Sequence, residues 1–81
     1  ITIVCDDKDE ICSFITKNLG RSATITDGVG AYTNSQKYII FTSLSRTQAV
    51  ELRNYIRDNQ PQAFMSVSST SEVFGKGFHS I

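Results

Sequence analysis

The sequence predicts an α+β fold with its elements in the order βαββαβ, a four-stranded antiparallel sheet carrying both helices on one face. Three observations carry that expectation. Apolar residues recur at helical spacing twice, as Ile11, Phe14, Ile15 and Leu19 and again as Ala49, Leu52, Tyr55 and Ile56. Four short runs rich in β-branched and aromatic residues, at 1–5, 22–26, 37–44 and 63–68, surround these stretches as strands. The first and third runs are the most apolar, and two right-handed βαβ crossovers would bring those two to the centre of the sheet. The topology is that of a ferredoxin-like plait.

Each element has a local reason. Ile1-Thr2-Ile3-Val4-Cys5 is apolar on both alternating faces, as an interior strand is when both sides are covered. It stops at Asp6-Asp7, where Asp7 and Glu10 make an Asp version of a capping box and open a helix over 8–19. Gly20 stands at its C′ position, where a left-handed conformation is needed. The acidic group Asp6, Asp7, Asp9 and Glu10 lacks the frame of a calcium loop and is explained by the helix macrodipole.

Ser22-Ala23-Thr24-Ile25-Thr26 is a modestly apolar strand suited to a sheet edge. In the strand over 37–44, Tyr38, Ile40 and Leu44 point one way while Ile39 and Phe41 point the other, so one pair must lie on the face without helices. An exposed apolar patch of that kind usually marks an interface, which predicts a homo-oligomer. Ser45 and Gln48 form a second capping box opening a helix over 46–59, and Pro61 follows its end. Glu51, Arg53, Asn54, Arg57 and Asp58 make its solvated face. In the last strand Ala63, Met65 and Val67 share one face, opposite Phe64, Ser66 and Ser68.

Composition bounds the function. With 81 residues the chain holds one small domain, which buries only about 60 to 65% of its unfolded surface. Eight basic and eight acidic residues cancel, which argues against nucleic acid, because a phosphate-tracking surface shows as a basic excess. Cys5 and Cys12 form no CxxC pair, so the reading is two reduced thiols packed in or near the core, without metal. No apolar run reaches the ~18 residues of a membrane span. The start at Ile1, inside an apolar run, implies a domain cut from a longer polypeptide.

Two segments attract a functional reading. Residues 27–36 spend far more chain on a reversal than a two-residue hairpin turn requires, and contain two glycines and Tyr32. A plain flexible hairpin is the alternative. In the tail, Gly75-Lys76-Gly77 offers backbone N–H groups and an ammonium to an anion, or else a tight turn between phenylalanines that pack on the sheet. Together the two segments supply an acceptor in Asp27, the glycines Gly28 and Gly30, an aromatic face in Tyr32, a hydroxyl in Thr33 and a cation in Lys76, as one site for a polar ring bearing an anionic group. No catalytic constellation accompanies them, and His79 is alone in the tail, so the chain is read as a non-enzyme.

Gly20-Arg21, Thr24-Ile25, Asp27-Gly28-x-Gly30-Ala31-Tyr32-Thr33, Ala63-Phe64-x-Ser66-Val67-Ser68 and Glu72-Val73-x-Gly75-x-Gly77-Phe78 carry a resemblance over nearly the whole chain. They resemble the C-terminal cytosolic domain of unknown function of YitT-type bacterial membrane proteins. The resemblance implies a plait similar to PII and other GlnB-like signalling proteins, attached behind transmembrane helices at the cytoplasmic face. By the PII analogy the loop residues Asp27, Gly28, Gly30, Tyr32 and Thr33 would be ligand-site residues between subunits of a trimer, with Gly75, Lys76 and Gly77 as a second element. It further implies a regulatory module sensing a small anionic or nucleotide ligand. Two other readings share the topology: an assembly module without ligand, and an ACT-like amino-acid-binding domain. Asn34 departs from a pattern that has glycine after the Tyr-Thr pair, and asparagine is the next best residue for a left-handed conformation.

Overall fold

A computed structural model describes residues 1–68. In chain order they form β1 (Thr2–Cys5), α1 (Asp9–Ser13), which continues into a π-helical segment (Phe14–Asn18), then β2 (Ala23–Val29), β3 (Gln36–Thr42), α2 (Arg46–Asn59) and β4 (Phe64–Ser66). The strands make one antiparallel sheet in the order β2-β3-β1-β4, so the first and third strands lie in the middle of a ferredoxin-like plait.

The core lies between one sheet face and the helices. Ile3 and Cys5 of β1 and Ile40 of β3 meet Ile11, Ile15 and Leu19 of the first helical segment and Leu52 and Ile56 of α2. Ile3, Ile11, Ile15, Ile40 and Leu52 are completely buried. Each is worth roughly 1.5 to 3 kcal/mol of transfer free energy. As the alternation of β3 predicts, Tyr38 and Ile40 face the helices, and Leu44 packs partly on the same cluster.

The first helix differs from its expected form. Asp7 Oδ1 accepts the Asp9 N–H at 3.0 Å and not the Glu10 N–H, and Glu10 Oε2 accepts from Gln60 Nε2 at 3.5 Å, so neither half of the expected capping box is made. Beyond Ser13 the turn widens, with Leu19 N–H donating to the Phe14 carbonyl at 3.1 Å. The cause is local: Ile15 and Thr16 are β-branched, and Thr16 Oγ1 donates to the Cys12 carbonyl at 2.9 Å, competing for a helix acceptor. Gly20 closes the segment at φ +66, as its C′ place requires, and Arg21 N–H donates to the Ile15 carbonyl at 3.0 Å.

The second helix forms as its sequence predicts, over Arg46–Asn59. Its capping box is complete: Gln48 N–H donates to Ser45 Oγ at 3.2 Å and Ser45 N–H donates to Gln48 Oε1 at 3.0 Å. Gln48 Nε2 also donates to the Leu19 carbonyl at 3.0 Å, which ties the start of α2 to the end of the first helical segment. A second tie is aromatic, with the rings of Phe14 and Tyr55 stacked at 4.3 Å.

On the helix-free face the pairing aligns Thr26, Ile39, Val4 and Phe64 across the sheet, and next to them Thr24, Phe41, Thr2 and Ser66. Phe41 and Phe64 remain 46% and 65% exposed there. The expected apolar patch therefore exists in the single chain.

Candidate functional site

The hairpin between β2 and β3 is better ordered than its composition suggests. The expected strand over 22–26 runs on to Val29, which pairs with Gln36, so the connection shrinks to residues 30–35. Cross-strand pairing with Tyr38 and Lys37 thus takes Asp27 and Gly28 out of the loop and into the sheet. Asp27 Oδ2 accepts from Gln36 Nε2 at 3.4 Å, across the base of the connection.

Neither Gly28 nor Gly30 adopts a positive φ, which corrects the expectation that they supply permissive backbone. The residue that does is Asn34, at φ 58, which keeps the geometry that glycine would have provided. Around it the loop bonds to itself. Gly30 N–H donates to the Ser35 carbonyl at 2.8 Å, Asn34 N–H donates to the Gly30 carbonyl at 2.7 Å, and the Thr33 and Ser35 hydroxyls lie 2.7 Å apart. Gly30 and Thr33 are neighbours, since a Cβ on Gly30 would stand 3.4 Å from Thr33 Oγ1. Tyr32 is fully exposed at the tip. Below the loop, Lys37 Nζ pairs with Asp6 Oδ1 at 2.6 Å, with 33% and 50% of the side chains exposed, a link between β3 and the end of β1 worth no more than about 1 kcal/mol.

Of the expected site residues, Gly30, Tyr32 and Thr33 share this loop, and Asp27 and Gly28 stand at its base. Gly75, Lys76, Gly77 and His79 lie outside the described residues. The sequence reading missed an open cleft of about 540 Å³ at the opposite end of the hairpin, between the start of β2 and the end of β3. Arg21, Ser22, Thr24, Phe41 and Ser43 are among its walls. Arg21 Nε donates to the Ser43 carbonyl at 3.3 Å, and Thr42 Oγ1 donates to the Ser22 carbonyl at 2.8 Å, so both rims are held. Three separate segments build this cleft and none makes a motif alone; the available signal was that Gly20-Arg21 and Thr24 carry the family resemblance.

The cysteines sit as expected of small hydrophobes: Cys5 is buried, and the half-buried Cys12 packs against the core. Burial pushes both thiols up, and negative charge from Cys12, Asp6 and Asp7 adds to the rise at Cys5. Raised thiols hold fewer thiolates at neutral pH, so alkylation of the native chain by a maleimide is expected to be much slower than in denaturant. Equal rates in the two states would show the thiols to be open. Because the folded values exceed the unfolded one of about 8.5, their contribution to stability is intact below that pH and falls as pH rises above it. Among the described residues no group of three or more His, Cys, Asp or Glu side chains is arranged to hold a metal ion, and no helix is long and apolar enough to cross a membrane.

Comparison with known proteins adds a family. A family model described as "Uncharacterized protein conserved in bacteria (DUF2179)" matches residues 21–75. The chain is 32% identical over 78 residues to the UPF0750 membrane protein YxkD of Bacillus subtilis, an alignment covering 96% of this chain and 28% of that protein. Against the UPF0750 membrane protein YitT of the same organism the identity is 30% over 73 residues, covering 90% of this chain and 26% of YitT. The chain thus spans little more than a quarter of each of these two relatives. A crystal structure of a DUF2179 protein from Eubacterium ventriosum superposes with a TM-score of 0.62 at 28% identity, covering 83% of this chain and 93% of that one. The matched model takes in the hairpin, α2 and β4 as well as the cleft residues from Arg21 onward, and the chain belongs to the DUF2179 family, whose domain it shares with UPF0750 membrane proteins of the YitT type.

Proposed function

We propose that this chain is a ligand-binding regulatory domain of a bacterial membrane protein, placed at the cytoplasmic face, which passes ligand occupancy to the membrane-spanning part and carries out no reaction itself. The observation that carries this reading is Tyr32. Its ring stands fully exposed on a loop tied by its own hydrogen bonds and by the left-handed Asn34. A fully solvated ring adds nothing to the core, yet it is large, rigid and apolar, which suits it to stack on a ligand at little entropic cost. The loop backbone and the Thr33 hydroxyl stand beside it, and in this reading Lys76, outside the described residues, supplies the cation. The ligand class that fits is a polar ring bearing an anionic group, as in a nucleotide. A binding role also agrees with the thiols, the strongest nucleophiles of the described residues, being held protonated.

A thermal-shift screen of nucleotides and other anionic metabolites tests this. Tyr32→Ala is expected to remove stacking and Lys76→Ala a charge-assisted contact, each weakening a hit by about 1 to 3 kcal/mol. Tyr32→Ala should keep the wild-type melting temperature without ligand, as exposed substitutions usually do. Hits that survive both substitutions would sink the site, and a collapse of the unliganded Tyr32→Ala fold would make the ring structural.

A further inference from the structure

We propose that two copies of this chain pair through their β2 edges, antiparallel about a two-fold axis at Ile25, so that two four-stranded sheets become one of eight strands. β2 is an outer strand, and among the described residues nothing pairs with its outer side. Seven residues long, it offers a row of N–H and C=O groups over about 23 Å. Natural sheets guard such an edge with lysine, proline, a bulge, an inward-pointing charge or a very short strand. Of these β2 has one, Asp27, which stands opposite Tyr38 on the helix side. Ala23–Val29 contains no Lys, Arg or Pro, its pairing with β3 runs unbroken from Ala23↔Thr42 to Val29↔Gln36, and Asp27 is its one charge.

Three features select a second copy as the occupant. The chain has zero formal net charge, so copies do not repel one another. The other edge strand, β4, has three residues, and pairing with it would leave most of β2 open, whereas an axis at Ile25 sets Ala23–Asp27 against the same stretch of the copy. The side chains are also self-complementary. A two-fold axis normal to the sheet keeps the helices of both copies on one side and sets Ile25 against Ile25, Thr24 against Thr26, and Ala23 against Asp27. Ile25 lies on the helix side, opposite Ile40, yet is 44% exposed because the helices do not reach the edge strand, and this pairing covers it. Moving the axis to Thr26 would instead face Ile25 with a carboxylate. In the chosen register Val29 falls opposite Arg21 of the second copy, so each hairpin loop lies beside the other copy's cleft. The pairing does not depend on a ligand, and its test uses none.

Oxidative cross-linking of the 81-residue chain in a Cys12→Ser background tests the register. Ile25→Cys should convert most of the chain to a covalent dimer, because directly opposed Cβ atoms are within disulfide reach. Val29→Cys, on the same strand and 67% exposed, should stay monomeric. Absence of the Ile25→Cys dimer, or equal cross-linking at both positions, overturns the proposal. Sedimentation equilibrium gives a second reading: Thr26→Lys, at an exposed position, should abolish association while the circular dichroism spectrum stays that of the folded chain, whereas Phe41→Lys on the helix-free face should leave association unchanged. The reverse pattern would assign association to the sheet face and overturn the edge.

Discussion

Replacing Ile40 by alanine is expected to cost about 2 to 5 kcal/mol of folding free energy, the range for a large aliphatic side chain removed from a packed core. Ile40 is completely buried near the middle of the sheet, with the equally buried Ile3 opposite it on β1 and Ile25 opposite it on β2, beneath the helices. Neighbours on two strands and two helices cannot all move to fill the space, so the value should fall in the upper half of that range. Small domains have on the order of 5 kcal/mol in total. Urea denaturation should therefore show the midpoint falling close to zero denaturant, while Ile40→Val, which removes one methylene, loses about 0.5 to 1.5 kcal/mol. A loss below about 1 kcal/mol for the alanine variant would mean that the helices do not cover this part of the sheet.

The fold was legible where one local signal served one element. Ser45 and Gln48 fix the start of α2 because both halves of the capping box are made by neighbours in sequence. The alternation of Tyr38, Ile39, Ile40 and Phe41 sorts the two faces of β3 because a strand offers only two directions. What could not be read depends on partners distant in sequence. β2 continues through Asp27, Gly28 and Val29 because β3 supplies Tyr38, Lys37 and Gln36 as pairing partners, although Asp-Gly by itself signals a turn. Glu10 leaves its expected cap because Gln60, fifty positions away in the chain, offers it an amide. Of the candidate site, the exposure of Tyr32 agrees with its place in a polar loop, and the left-handed Asn34 follows from what asparagine tolerates. The cleft beside Arg21 needed the assembled sheet, since its walls come together only when β1, β2 and β3 pair.

Phe14→Ala is expected to cost about 2 to 4 kcal/mol, below the 3 to 5 kcal/mol of a fully buried phenylalanine because this ring is only partly buried. Phe14 opens the π-helical segment, and its ring stacks on Tyr55 of α2 with centroids 4.3 Å apart and planes 18° from parallel. The widened turn is thus built into the contact between the two helices. Phe14→Leu keeps apolar cover but loses the stack, and should cost only about 0.5 to 1.5 kcal/mol for the aromatic pairing, together with a small packing change. A double-mutant cycle with Tyr55→Leu separates the two effects, because only the stack is shared between the positions. A second readout is independent of stability. Burial pushes the Tyr55 phenol up, and the carboxylates of Glu10 and Asp7 push it in the same direction. Removing the Phe14 ring admits water to that phenol, so its titration, followed by NMR, should move down toward the ordinary tyrosine value of about 10 while Phe14→Leu leaves most of the shift in place. A cycle with no coupling and an unmoved phenol would show the two rings to be adjacent without holding the helices together.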